Sequence, residues 1–213
     1  MAETTVVHLL RHGEVHNPGG ILYGRLPGYH LSETGELMAK TVAKAVSGRD
    51  IAAVYSSPLE RARETAAPVA AVHGLEVIID DRLLEAENLL QGRAVGQGLQ
   101  ILRSPRNYRY FWNPMRPSWG EPYPAIVARM RAAIDDARKE WRGHEIIMVS
   151  HQLPIWAVRM AAEGRRRLWH DPRRRQCALA SLTTFTFEGD RLVSVGYSEP
   201  AGSIERGPSV PGA

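Results

Sequence analysis

The chain has 213 residues, 44% of them hydrophobic and 23% charged, with a formal net charge of +4 and a pI near 9.5, values that exclude a disordered or fibrous chain and suit one domain with a full core. No apolar run approaches the roughly 20 residues of a membrane span, and Met1-Ala2-Glu3-Thr4-Thr5 lacks the basic-then-apolar pattern of a secretory signal. A single cysteine, Cys177, excludes an internal disulfide, so a cytoplasmic location is the simplest expectation.

In chain order, Val6 to Leu10 is a short β-rich apolar run that predicts a buried strand, ending abruptly at Arg11-His12-Gly13. Loop composition follows through Asn17-Pro18-Gly19-Gly20 to Pro27-Gly28. Ser32 is placed to cap a helix whose apolar positions include Leu37, Met38, Val42 and Val46. Ile51 to Tyr55 predicts a second strand. Ser57-Pro58-Leu59-Glu60 then looks like a helix start, with a capping serine, proline at the first position and glutamate three residues after the cap; that helix is expected to run to about Val72. Leu75 to Ile79 is a third strand. Residues 88–124 break the alternation with prolines, glycines and aromatics, and are expected to form an inserted cap. A helix from about Ala125 to Trp141, a strand from Glu145 to Val149 and a helix from Pro154 to about Ala162 follow. The tract from Arg165 to Gln176 is strongly basic. Ser181 to Phe187 and Leu192 to Tyr197 alternate like a hairpin around Glu188-Gly189-Asp190, and residues 200–213 have the composition of a disordered tail.

Strands alternating with helices imply an α/β fold with a mainly parallel central sheet, here as one domain over residues 1–199. Ligands of such sheets bind beyond the carboxyl ends of the strands. Three suggestive segments fall there: Arg11-His12-Gly13, Ser56-Ser57-Pro58 with Arg61 one turn on, and Ser150-His151. Together they suit a phosphate site. Arginine offers a planar fork of donors that matches phosphate oxygens. Neutral imidazole is a competent nucleophile at ordinary pH. A carboxyl group whose pKa is raised can protonate a leaving alkoxide. Glu85, with Glu87 as a nearby competitor, is placed to be that acid. Taken singly, each of these residues has an ordinary structural explanation.

Leu10-Arg11-His12-Gly13-Glu14 resembles the signature of the histidine phosphatase superfamily, the phosphoglycerate mutase-like enzymes. Further stretches match in order: Leu31-Ser32-Glu33-Thr34-Gly35; Ser56-Ser57-Pro58-Leu59-Glu60-Arg61 on to Ala66; Leu83-Leu84-Glu85; Gly120-Glu121 with Arg129; and Val149-Ser150-His151. The resemblance implies a three-layer α/β/α sandwich and needs no metal or organic cofactor. It implies that His12 is transiently phosphorylated. Arg11, Arg61 and His151 would hold the phosphoryl oxygens, and Glu85 would donate the proton and then activate water. The sequence departs from the family pattern at Asn17, at Pro122 and at Gln152, which follows His151 where glycine is usual. Asn17, Gln152, Arg109 and Arg116 are candidate contacts to phosphate or substrate.

The expected function is therefore a phosphatase acting on a small phosphorylated metabolite, with inorganic phosphate as its other small ligand and a homodimer compatible with the sequence. A phosphoglycerate mutase-type phosphotransferase is the enzymatic alternative, disfavoured because residues 88–124 do not look like the mutase insertion. A metal site built from His12, Glu14 and His16 is disfavoured because Gly13 and the Asn17-Pro18-Gly19-Gly20 break oppose the helix such a site needs. The non-enzyme alternative is a nucleic-acid-binding module using the arginines of residues 165–175, for which a solvated or interface loop is the simpler reading.

Overall fold

The computed structural model describes residues 3–89, 91–94, 120–165, 175–205 and 207. Six strands, β1 (Thr4–Arg11), β2 (Ile51–Ser56), β3 (Val77–Ile79), β4 (Glu145–Ser150), β5 (Leu182–Glu188) and β6 (Arg191–Ser198), form one sheet in the order β3-β2-β4-β1-β5-β6. The β1–β4, β2–β4 and β2–β3 pairs are parallel, whereas β5 pairs antiparallel with β1 and with β6. Among the described residues, four α-helices, α1 (Glu33–Val46), α2 (Glu60–His73), α3 (Tyr123–Glu140) and α4 (Gln152–Ala162), cover the sheet.

Side chains alternate across a strand, and both faces here are apolar. Val7, Leu9, Ala53, Tyr55, Ile146 and Met148 pack on one face against Ile126, Met130 and Ile134 of α3 and Ile155 of α4. Leu10, Val54, Ile147 and Val149 pack on the other against Met38 and Val42 of α1 and Ala66 and Val69 of α2. The result is the three-layer α/β/α sandwich expected from the alternation of elements.

Several boundaries differ from expectation for local reasons. Ser57 does not cap α2: the helix begins at Glu60 after Leu59, with no side-chain cap. The Leu75 backbone N–H donates to Ala70 O, closing the end of α2, so β3 starts only at Val77. Pro154 lies inside α4 rather than at its start, because first-turn N–H groups have no helical partner and a proline there costs none. Gly189, at φ 56°, allows the two-residue connection between β5 and β6. Described residues of the stretch expected to be a tail pack on the domain. Ala201 is buried in the α1/α2-side core, and the Gly207 N–H donates to Glu14 Oε2 at 2.8 Å. Of the expected cap, the described margins are tied down by isolated bridges, Ile21 to Ala94 and Asn88 to Gly120. Among the described residues no helix is long and apolar enough to cross a membrane.

Candidate active site

Parallel pairing decides where the site lies. Arg11 is in register with Ser150, and Ser56 with Val149, so β1, β2 and β4 end side by side. The backbone continues that alignment one residue further: His12 N–H donates to Ser150 O at 3.1 Å and Ser57 N–H to Val149 O at 2.9 Å. The residues just past the strands, His12, Ser57 and His151, are thereby brought together, all fully buried.

Two motif glycines make this possible by close approach. A Cβ on Gly13 would fall 2.7 Å from Gly35 O, and one on Gly35 would fall 2.0 Å from Glu14 O. The His12 loop thus lies directly on the first turn of α1. Ser32 joins the two, donating to Glu14 Oε1 at 2.7 Å while accepting from Gly35 N–H at 3.0 Å as the α1 cap.

Each candidate side chain is fixed by one end. His12 Nδ1 lies 2.8 Å from Gly13 O. A carbonyl only accepts, so Nδ1 carries the proton and Nε2 carries the lone pair. Arg11 donates to Cys177 O at 2.7 Å. Arg61 donates to Gly24 O at 2.6 Å, and its guanidinium carbon stands 4.7 Å from the centre of the Tyr23 ring, a cation–π contact. His151 Nε2 meets Ser57 Oγ at 2.9 Å. Glu85 Oε1 accepts from Ala86 N–H at 2.8 Å.

The other ends have no partner. Arg11 Nε, His12 Nε2, both Nε and Nη1 of Arg61, Glu85 Oε2 and His151 Nδ1 are buried without a hydrogen bond. Other unpartnered atoms occur singly, such as His73 Nε2 on α2 and Thr183 Oγ1 on β5. These six share one place. The His12 and His151 ring centres are 5.1 Å apart, and the charges of Arg11 and Arg61 act on both histidines and on Glu85. A buried polar atom left without a partner costs about 1–3 kcal/mol, so such a cluster marks a place where a polar ligand or water would complete the bonding.

Protonation follows from burial. Burial, then the charges of Arg61 and Arg11, holds His12 well below its usual 6.5 and keeps it neutral. Burial does the same to His151, helped by Arg61 and His12. Glu85 moves the other way: burial raises its pKa, against the lowering pull of the Ala86 N–H, Arg61, Arg11 and Arg175.

Glu85 and Glu87 separate clearly. Glu87 pairs with Arg25 at 3.0 Å and its side chain is 68% exposed. Arg25 also bonds the Glu85 carbonyl oxygen and, at 3.0 Å, Glu121. Arg129 meets both Glu121 oxygens, at 2.8 and 3.0 Å, so the Gly120-Glu121 and Arg129 stretches form one brace beneath the Glu85 loop.

The remaining candidates fare differently. The bonds seen at Asn17 fold its own loop: Oδ1 accepts from Ile21 N–H and Nδ2 donates to Ile21 O, each at 2.9 Å. Gln152, the first residue of α4, accepts from Arg175 at 3.2 Å. Arg109 and Arg116 lie outside the described residues, as do residues 166–174 of the arginine tract. Sequence reasoning missed Ser57 as a partner of His151. It missed Tyr23 and Gly24 as the seat of Arg61, and Thr65, whose hydroxyl accepts from Gly13 N–H at 3.1 Å and donates to Arg61 O at 2.7 Å. It also missed Arg175. Ser57 and Thr65 stood inside a quoted motif and Arg175 inside the basic tract, whereas Tyr23 and Gly24 carried no signal beyond their neighbours.

The model of the histidine phosphatase superfamily (branch 1) matches residues 7–200. The chain belongs to this superfamily. The uncharacterized protein Rv0525 of Mycobacterium tuberculosis is 58% identical over 201 residues, 94% of this chain and 99% of that protein. Phosphoserine phosphatase 1 of Hydrogenobacter thermophilus is 31% identical over 161 residues, 73% of this chain and 75% of the relative. Among solved structures, a mycobacterial glucosyl-3-phosphoglycerate phosphatase superposes with a TM-score of 0.71 at 25% identity, covering 86% of this chain and 90% of that one. The superfamily relatives also include a protein named as a probable phosphoglycerate mutase. As a histidine phosphatase superfamily member, this chain is thus similar both to phosphatases and to a mutase-type enzyme.

Proposed function

We propose that the protein is a phosphatase that hydrolyses a small phosphorylated metabolite through a phosphohistidine on His12. The observation that carries this reading is the buried, unpartnered Nε2 of His12 beside the unpartnered N–H groups of Arg11 and Arg61.

A phosphate monoester brings anionic oxygens to those N–H groups. With Ser57 donating to His151 Nε2, the neutral His151 ring carries its proton at Nδ1, a further donor among the unpartnered atoms. The Nε2 lone pair of His12 attacks phosphorus, the P–O bond to the organic group breaks, and Glu85 gives its proton to the leaving oxygen. Glu85, now a carboxylate, takes a proton from water. The hydroxide oxygen attacks phosphorus, the N–P bond breaks, and orthophosphate and neutral His12 are released. The sites tethered in advance, Arg11 to Cys177 O and Arg61 to Gly24 O, stabilise charge without reorganising during the reaction.

A mutase would use the same first half and return the phosphoryl group to a bound organic acceptor instead of water. Purified enzyme incubated with a panel of phosphorylated metabolites, including 3-phosphoglycerate with and without 2,3-bisphosphoglycerate, separates the two. Orthophosphate release matching substrate loss is expected. Conversion of 3-phosphoglycerate to its 2-isomer without orthophosphate would overturn the phosphatase reading.

A further inference from the structure

A general acid works only within hydrogen-bond reach of the leaving oxygen, so the distance of Glu85 from the phosphate cradle has to be fixed. Glu85 Oε1 accepts from the N–H of the next residue, Ala86, at 2.8 Å. The carboxyl is therefore tied to its own backbone. Its unpartnered Oε2 sits wherever the backbone at residue 85 is placed.

Three side chains from different parts of the chain hold that backbone by its carbonyls. Arg129 of α3 donates to Arg82 O at 2.6 Å, and Ser150 at the end of β4 donates to Leu83 O at 2.7 Å. Arg25 Nε donates to the carbonyl oxygen of Glu85 itself. Arg25 also follows directly on the seat of Arg61. The Tyr23 ring lies under the Arg61 guanidinium, and Gly24 O accepts from Arg61 Nη2 at 2.6 Å. The tripeptide Tyr23-Gly24-Arg25 thus touches the phosphate-binding arginine and the acid at once.

The Arg25 guanidinium is held in one orientation. Its planar fork presents donors in fixed directions. While Nε meets Glu85 O, Nη1 meets Glu87 Oε1 and Nη2 meets Glu121 Oε2, each at 3.0 Å. The Arg25 backbone N–H donates to Gln91 Oε1 at 3.1 Å, and Arg129 grips Glu121 from the other side. The Glu87 arm is exposed, and such ion pairs add little to stability. What the set does is immobilise Arg25 against the Glu85 carbonyl. Placement of this kind matters to rate, since a shift of about 1 Å in a reacting group can cost about 10²-fold.

We propose that Arg25 is a positioning residue for the general acid: it ties the Glu85 backbone to the loop that seats Arg61, and so sets the distance between the proton donor and the phosphoryl group. This assignment rests on the phosphatase reading and deepens it.

The test compares kcat/KM for p-nitrophenyl phosphate and phenyl phosphate, which differ little in shape but greatly in how far the leaving oxygen needs a proton. Arg25→Met is expected to widen the ratio in favour of p-nitrophenyl phosphate by about tenfold, a part of the roughly 10²–10⁴ that a general acid supplies. Glu121 keeps Arg129 as its partner, so the substitution strands no buried charge. Arg25→Lys keeps the charge without the fork; it is expected to widen the ratio less, and it carries the test if Arg25→Met does not fold. In a Glu85→Gln background, Arg25→Met should widen the ratio no further, because both changes act through one group. A merely structural role would slow both substrates alike. An unchanged ratio in the Arg25 variants, or a further widening in the Glu85→Gln background, overturns the assignment. No hydrolysis of p-nitrophenyl phosphate by the natural enzyme would instead overturn the phosphatase reading, and the assignment with it.

Discussion

His8 and His12 stand four residues apart, are equally buried, and behave oppositely. His8, within β1, has both ring nitrogens matched: Nδ1 meets Thr184 Oγ1 at 2.9 Å and Nε2 meets Glu145 Oε2 at 2.7 Å. Arg49 completes that cluster, 2.9 Å from the same carboxylate. His12, one residue past β1, has Nδ1 matched and Nε2 not. The first cluster is closed within the protein. The second is closed only by something else. Burial of a histidine therefore says little about function; the unmatched atom, and the company of other unmatched atoms, says much.

The largest expected effect breaks that comparison directly. His12→Ala should abolish hydrolysis of p-nitrophenyl phosphate while leaving the circular dichroism spectrum and the fold intact. His8→Gln should keep turnover within about threefold but cost roughly 1–3 kcal/mol in urea unfolding, because the Glu145 carboxylate loses a buried partner. Normal turnover in His12→Ala, or loss of catalysis without loss of stability in His8→Gln, would reverse the assignment of the two histidines.

A smaller effect concerns the acid. Glu85→Gln should slow alkyl phosphates by about 10²–10⁴-fold, the usual worth of a general acid, and p-nitrophenyl phosphate far less, because that leaving group needs little protonation. Burial raises the Glu85 pKa, so its acid form persists above the ordinary carboxyl range. Hydrolysis of alkyl phosphates should then fall as pH rises through that raised pKa. Equal losses for both substrates would move the role to another group, and Glu87, exposed and paired with Arg25, is poorly placed to take it.

The smallest effect links three buried histidines to stability. His8, His12 and His151 all have folded-state pKa values lowered first by burial. Below 6.5 the unfolded chain takes up protons at these residues more readily than the folded one, so their contribution is present above that pH and is lost as pH falls below it. The urea midpoint should drop between pH 7 and pH 5, and saturating inorganic phosphate should raise it at pH 7 through the unmatched cluster alone. A midpoint indifferent to phosphate would mean that the cluster is not an anion site.

Much of this was legible in the sequence because the fold repeats a simple unit. Each apolar run ends where a polar motif begins, so residue type alone places Arg11, His12 and His151 at strand ends. Other features were hidden for definite reasons. Ser57 carries the same local signature as a helix cap, and only the neighbouring end of β4 shows that its hydroxyl meets His151. Glu85 and Glu87 are two residues apart in a loop, where no periodicity separates a buried carboxyl from an exposed one. The seats of Arg11 and Arg61 are backbone carbonyls of Cys177 and Gly24, 166 and 37 residues away, and a carbonyl leaves no mark on residue type. Arg175 looked like one more surface arginine in a basic tract. Asn17, singled out for phosphate, makes two loop bonds with Ile21 that its residue type alone does not announce.

The most direct test of the central claim is a search for phosphate on His12. Enzyme mixed with an aryl phosphate and quenched within milliseconds at alkaline pH should carry one phosphoryl group, lost on acid treatment and mapped to the peptide containing His12. It should be absent in His12→Ala and present in His8→Gln. Hydrolysis that proceeds with no phosphoryl group on His12 at any quench time would contradict the account.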